Sequence, residues 1–304
     1  MLRPEGWELV MDDKRLRFVA ALALLMPLMG CARFINFKSA ERRDQGYTLV
    51  LTGIESAHVG HASFVAGLKS GGVPSEIEVV DWTTGTPALM LVHLRAENRN
   101  RRKAAEIAAK ITQYQDEHPG RPVNLIGHSG GGGMALLTLE ALPQERQIDS
   151  AILLAPAVSP DYDLAPALTR VERGIWNYSS IGDGALLGVG TTIFGTIDGS
   201  HRPAAGAIGF RLSADAGPVE RRLYAEKLFE RPYRPWMAIN GNLSDHFGSL
   251  NTLFARNEIA PILRGAHYPN ETRSLDELIT TDPQLDREKL KDPELPPFKF
   301  TSPD

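Results

Sequence analysis

The most chemically suggestive stretch of the chain is Gly127-His128-Ser129-Gly130-Gly131. It follows the short apolar run VNLI (123–126) and opens the run GGGMALLTLEAL (131–142), which reads as a helix. A serine on a sharp strand-to-helix turn has its hydroxyl lifted clear of the sheet, and only small residues at the flanking positions let strand and helix approach so closely. The N–H groups that open the helix favour negative charge developing beside the serine. The chemistry this allows is nucleophilic attack on a carbonyl, provided that a base takes the hydroxyl proton. A Walker phosphate loop is excluded because no Gly-Lys-Ser/Thr follows, and the glycine spacing fits a dinucleotide fingerprint only loosely.

The elements that must position this turn alternate along the chain. Strands are expected at 47–52 (YTLVLT), 77–82 (IEVVDW), 123–126, 151–155 (AILLA), 175–179 (IWNYS) and 236–239 (WMAI). Helices are expected at about 57–69, across the polar segment where Ala104, Ile107, Ala108 and Ile111 share a face, at 131–142, and at 250–263. Near-continuous apolar strands alternating with helices imply an α/β fold: a mostly parallel central sheet covered on both faces. The glycine-rich segment 184–218 reads as a cap-like loop, and 280–304, with five prolines, as an extended tail.

The strand–GHSGG–helix context resembles the α/β-hydrolase family over roughly residues 47–265. The resemblance implies an eight-stranded sheet that often lacks its first strands, and a catalytic order of serine, acid, histidine. Ser129 is then the nucleophile. The acid falls in the loop after the strand IWNYS, at Asp183, with Asp161 and Asp163 after AILLA as rivals. Of eight histidines, His246 follows the last strand and precedes the closing helix, which makes it the base. His267 lies past that helix, His201 lies in the cap segment, and Asp245 adjoins His246. The oxyanion donors implied are the N–H groups of Gly130 and, after the first strand, Ile54; this turn reads Thr52-Gly53 where many members have His-Gly. Glu55 reads as an exposed carboxylate near the mouth. His58 and His61 have H-x-x-H spacing, but without a third ligand in the sequence pattern no metal is assigned, and the family mechanism implies no cofactor.

Composition bounds the rest. The 304 residues carry 42% hydrophobic and 23% charged side chains with a net charge of -4, so disorder throughout and nucleic acid as the main partner are both excluded. The basic run Arg99, Arg101, Arg102, Lys103 reads as the solvated start of a helix. The single cysteine, Cys31, rules out internal disulfides and ends the stretch Leu28-Met29-Gly30-Cys31. Before it lie Lys14, Arg15 and Arg17 and the twelve-residue apolar run Phe18–Met29. That run is too short to span a bilayer as a helix but suits a signal peptide, and its end resembles a bacterial lipobox. The expected organisation is a signal peptide at 1–30 with Met11 as a possible start, a lipidated Cys31, a linker at 31–46, a hydrolase domain at 47–279, and the tail. The expected location is the bacterial cell envelope, on the outer membrane in a Gram-negative cell, the alternative being periplasmic or secreted. The expected function is hydrolysis of a small-molecule or lipid ester, the alternatives being a non-catalytic hydrolase-like lipoprotein that binds an envelope partner, or an amidase or peptidase on the same fold.

Overall fold

A computed structural model describes residues 37–56, 59–85, 90–180, 182, 196–201 and 203–266. Among them, six strands form one parallel sheet: β1 (Tyr47–Leu51), β2 (Glu76–Val80), β3 (Val123–His128), β4 (Ile148–Leu154), β5 (Val171–Ser179) and β6 (Leu228–Pro232). Their spatial order is β2-β1-β3-β4-β5-β6. The chain runs outward from β1 to β2 and then crosses back to lay β3 on the other side of β1. That reversal leaves a crevice between the carboxyl ends of β1 and β3, where open α/β sheets place their ligands. The register pairs Leu51 with Gly127 and His128 with Leu154, so the turns that leave β1 and β3 emerge side by side.

Alternation along the strands divides the core in two. Leu49, Leu51, Leu125, Ala151, Leu153 and Ile175 face α2 (Glu97–Glu117), α3 (Gly130–Ala141) and α4 (Pro218–Lys227). Val50, Ile126, Ile152, Leu154 and Trp176 face α1 (Val59–Ser70) and the closing helical segment. Each fully buried aliphatic side chain contributes about 2 kcal/mol relative to exposure, so both layers are needed to hold the sheet. In α2 the buried residues Ala104, Ile107, Ala108, Ile111 and Tyr114 form the stripe expected from helical spacing, and Arg101 pairs with Glu97 on its solvent side.

Two expectations require correction. Residues 236–239 are not a strand: Pro235–Asn240 forms a 3-10 helix, and the last strand among the described residues is β6, earlier in the chain. Pro235 fits the first turn of a helix, and Ile239, at 81% exposure, has no second layer to cover it as a sheet residue would. The closing helix is also not one uniform α-helix. It runs through a 3-10 turn (Gly248–Leu250), a short α-helical turn (Thr252–Phe254), a π-helical stretch (Ala255–Ile259) and a final α-helical turn (Ala260–Leu263). Pro261 lacks an N–H to continue an α-helical ladder, which accounts for the break.

The helix α3 descends unusually close to the sheet. A Cβ on Gly131 would overlap the carbonyl oxygens of Leu51 and Thr52. Backbone cannot yield as a side chain can. Gly131→Ala is therefore expected to destabilise the protein by about 3 kcal/mol through overpacking, read as a lower urea midpoint with an unchanged m-value.

Candidate active site

Ser129 stands at the junction of β3 and α3 with φ 54° and ψ -121°, outside the region that side-chain-bearing residues ordinarily occupy. Such a conformation costs on the order of 1–3 kcal/mol and persists only where neighbours over-determine it. Here the Ser129 N–H donates to Leu154 O at 2.9 Å, and its carbonyl accepts from Gly132 N at 2.9 Å and Ala157 N at 3.0 Å. The turn is thus tied to β4 and to its own helix. A Cβ on Gly127 would collide with the Gly131 carbonyl, which is why both flanking positions must be glycine.

His246 comes to this turn from a loop 118 positions after His128. Its carbonyl accepts a hydrogen bond from His128 Nε2 at 2.9 Å, and the two imidazole rings lie 4.9 Å apart. The residue before the serine therefore holds the backbone of the residue expected to be the base. Ser129 and His246 are both buried, at 5% and 7% exposure.

The loop after β1 forms the opposite wall. The Ile54 N atom lies 3.6 Å from where a Cβ on Gly130 would stand, and the Ile54 Cγ2 methyl lies 2.7 Å from the same point. The two backbone segments expected to supply oxyanion donors therefore face each other across one narrow space. Behind Ile54, the Trp82 indole donates to Thr52 O at 2.6 Å. The buried His93 ring faces Thr84, whose N–H lies 3.2 Å from Nε2. Burial draws the His93 imidazole below its ordinary value, with a hydrogen bond to the Ile54 backbone opposing.

The acid is the member whose position the described residues approach without reaching. Asp183 lies outside them, but its neighbour Gly182 does not: a Cβ there would overlap the Ser244 hydroxyl. Ser180 Oγ bonds Ser244 O at 2.9 Å and Ser244 Oγ at 2.6 Å, so the loop leaving β5 is fastened to the loop carrying His246. The rivals are engaged elsewhere. Asp163 Oδ1 accepts the Ala165 N–H at 2.9 Å at the start of a short helix, and Asp161 lies 3.9 Å from Arg211 at the surface. Asp245 Oδ1 accepts the Phe247 N–H at 2.9 Å, a local turn bond. His201 lies 2.9 Å from an Arg95 guanidinium nitrogen. His58, His267 and Cys31 lie outside the described residues.

Residues 99–180, from α2 through β5 with the elbow in between, match the model of the family Hydrolase_4, described as serine aminopeptidase, S33. The fold is that of an α/β hydrolase. The parallel sheet, the strand–serine–helix elbow and the His246 loop bonded to it are the parts of that fold which the described residues present. No curated protein matches the chain.

Sequence reasoning passed over His128 and underrated Glu55. His128 is fully buried, and its Nδ1 lies 3.3 Å from Glu55 Oε1 while its Nε2 serves His246. The spacing of the motif could not reveal this, since Glu55 and His128 are joined only by the pairing of β1 with β3. Fastening of the loop after β5 to the His246 loop through Ser180 has a direct test. Ser180→Ala is expected to cost about 1 kcal/mol in urea denaturation, the loss of a partly buried hydrogen-bonding hydroxyl.

Proposed function

We infer that this α/β hydrolase cleaves carboxylic esters through a covalent acyl-enzyme formed on Ser129. The observation that carries the reading is the strained backbone of Ser129 at the mouth of β3, with the His246 loop hydrogen-bonded to the elbow itself. In this reaction Ser129 Oγ attacks the ester carbonyl as His246 takes its proton. The Gly130 and Ile54 N–H groups hold the oxyanion, and the imidazolium returns the proton to the departing alcohol. Water, deprotonated by the same histidine, then releases the acid. Asp183 orients the imidazole; the contact of Gly182 with Ser244 supports that role over Asp161 and Asp163.

An apolar ester is favoured by the surface beside His246. Trp236, Ile239, Leu243, Phe247 and Leu253 are exposed along one segment that brackets it, five of the seven large apolar side chains exposed among the described residues. The family description favours a second reading, in which an amide at a peptide N-terminus is the scissile bond. The same triad serves both reactions. The protein should be labelled by a fluorophosphonate, with labelling abolished in Ser129→Ala, and should hydrolyse a graded series of p-nitrophenyl esters faster than aminoacyl anilides. Persistent labelling of Ser129→Ala would overturn the assignment of the nucleophile, and a preference for the anilides would move the activity to peptides. Asp183→Asn should lower kcat on the best ester by on the order of 10⁴-fold, while Asp161→Asn and Asp163→Asn leave it within a few-fold.

The location proposed is the bacterial envelope, with the hydrolase held by acyl chains on Cys31. Each buried CH₂ contributes about 0.8 kcal/mol, so several chains make the attachment lasting where one would be marginal. No helix among the described residues is long and apolar enough to cross a membrane. Cys31→Ser should block incorporation of a fatty-acid probe and shift the protein from the membrane to the soluble fraction; an unlabelled wild-type protein would contradict the anchor.

A further inference from the structure

Glu55, His61 and His128 bring three ligand-type atoms within 4.8 Å of one another, from three different elements. Glu55 comes from the loop after β1, His61 from the first turn of α1, and His128 from the end of β3. Both histidines are fully buried, and the Glu55 side chain is 20% exposed, leaving one side open to solvent. We propose that these residues form a binding site for a divalent transition cation of the zinc class, which ties the loop carrying Ile54 to the elbow carrying Ser129.

Three features of the geometry support it. The first is the tautomer of His128. Its Nε2 lies 2.9 Å from a backbone carbonyl, which can only accept, so Nε2 carries a proton. In the neutral ring Nδ1 then presents a lone pair toward Glu55. Metal-bound histidines are usually held in this way, with the second ring N–H donated to a carbonyl or carboxylate. The second is the spacing. A tetrahedral ion with bonds of about 2.0–2.1 Å separates its ligand atoms by about 3.3–3.4 Å. His128 Nδ1 and Glu55 Oε1 stand 3.3 Å apart. The third is Gly53. A Cβ there would overlap the Glu55 carboxylate, so the absence of a side chain is what lets that carboxylate fold back toward the histidines. The ligand set, two imidazoles and one carboxylate, suits zinc, and the open side leaves a fourth position for water. The ring of His61 meets that of His128 nearly edge-on at 5.9 Å, which keeps its nitrogen within reach of the same ion.

The three ligands are none of the residues assigned to bond making, and the test of the site does not require the esterase reading to hold. The full-length chain, stripped with EDTA, is titrated with Zn²⁺ against a chromophoric chelator and, separately, with Co²⁺ while visible spectra are recorded. One equivalent of Zn²⁺ is expected to bind, and Co²⁺ should show the intense d–d bands of a four-coordinate ion. Glu55→Gln and His61→Gln should each weaken binding by on the order of a hundredfold, whereas His118→Gln, at the exposed end of α2, should not. In a Cys31→Ser background, His61→Cys should retain Co²⁺ and add a sulfur-to-cobalt charge-transfer band, which identifies the ligand directly. Absence of a stoichiometric site in the wild-type chain would overturn the proposal. So would binding unaffected by Glu55→Gln and His61→Gln. Either result would leave Glu55 and His128 as a contact between the loop after β1 and the end of β3.

Discussion

The close approach of α3 to the carboxyl ends of β1 and β3 governs the geometry of everything around it. Gly131 packs against the carbonyls of Leu51 and Thr52, and Gly127 against the carbonyl of Gly131. With no side chains between them, helix and sheet meet at backbone distance, and the turn joining them has no room for an ordinary conformation. Ser129 takes a positive φ as a result, held there by hydrogen bonds from its own N–H and to its own carbonyl. The strain is offset by the apolar layers on both faces of the sheet, of which α3 forms a part.

This constraint propagates outward through backbone contacts. Because the elbow is fixed, the preceding His128 is fixed, and its ring reaches both walls of the crevice. One nitrogen holds the carbonyl of His246, and the other faces Glu55, one residue past Ile54. A third wall, the loop leaving β5, is fastened to the His246 loop by Ser180. Four loops from distant parts of the chain therefore converge at the reversal of strand order between β1 and β3. The connections His128–His246 and Ser180–Ser244 run through backbone carbonyls and supporting side chains, which set the position of these loops.

Much of the fold was legible because burial imposes a period. The stripe of Ala104, Ile107, Ala108 and Ile111 and the continuous apolar runs of β1, β3, β4 and β5 leave few alternatives to a two-faced parallel sheet. Residues 236–239 failed this logic. The apolar run Trp-Met-Ala-Ile resembles a buried strand in composition, yet only Met237 is buried and Trp236 and Ile239 face outward. Four residues are too few for periodicity to separate a strand from a turn of helix, and Pro235 was the better signal. The last strand among the described residues, LFERP, was obscured by Glu230 and Arg231, whose charges are unusual in a buried strand. Glu230 is accommodated because its carboxylate accepts from Asn177 Nδ2 at 2.8 Å and Phe210 N at 2.7 Å, partners that no local pattern reveals.

The sequence by itself determined the elbow and the class of sheet that carries it. Both depend on residues adjacent in the chain: glycines where a Cβ has no space, a serine between them, apolar runs before and after. Tertiary structure alone decided what surrounds that serine. The meeting of His128 with the backbone of His246 spans 118 positions, and Ser180 with Ser244 spans 64. The group of Glu55, His61 and His128 exists only because β1 and β3 lie side by side with α1 above them. Contacts of this kind follow from strand order and register, which depend on the packing of the whole sheet, and spacing along the chain carries no trace of them.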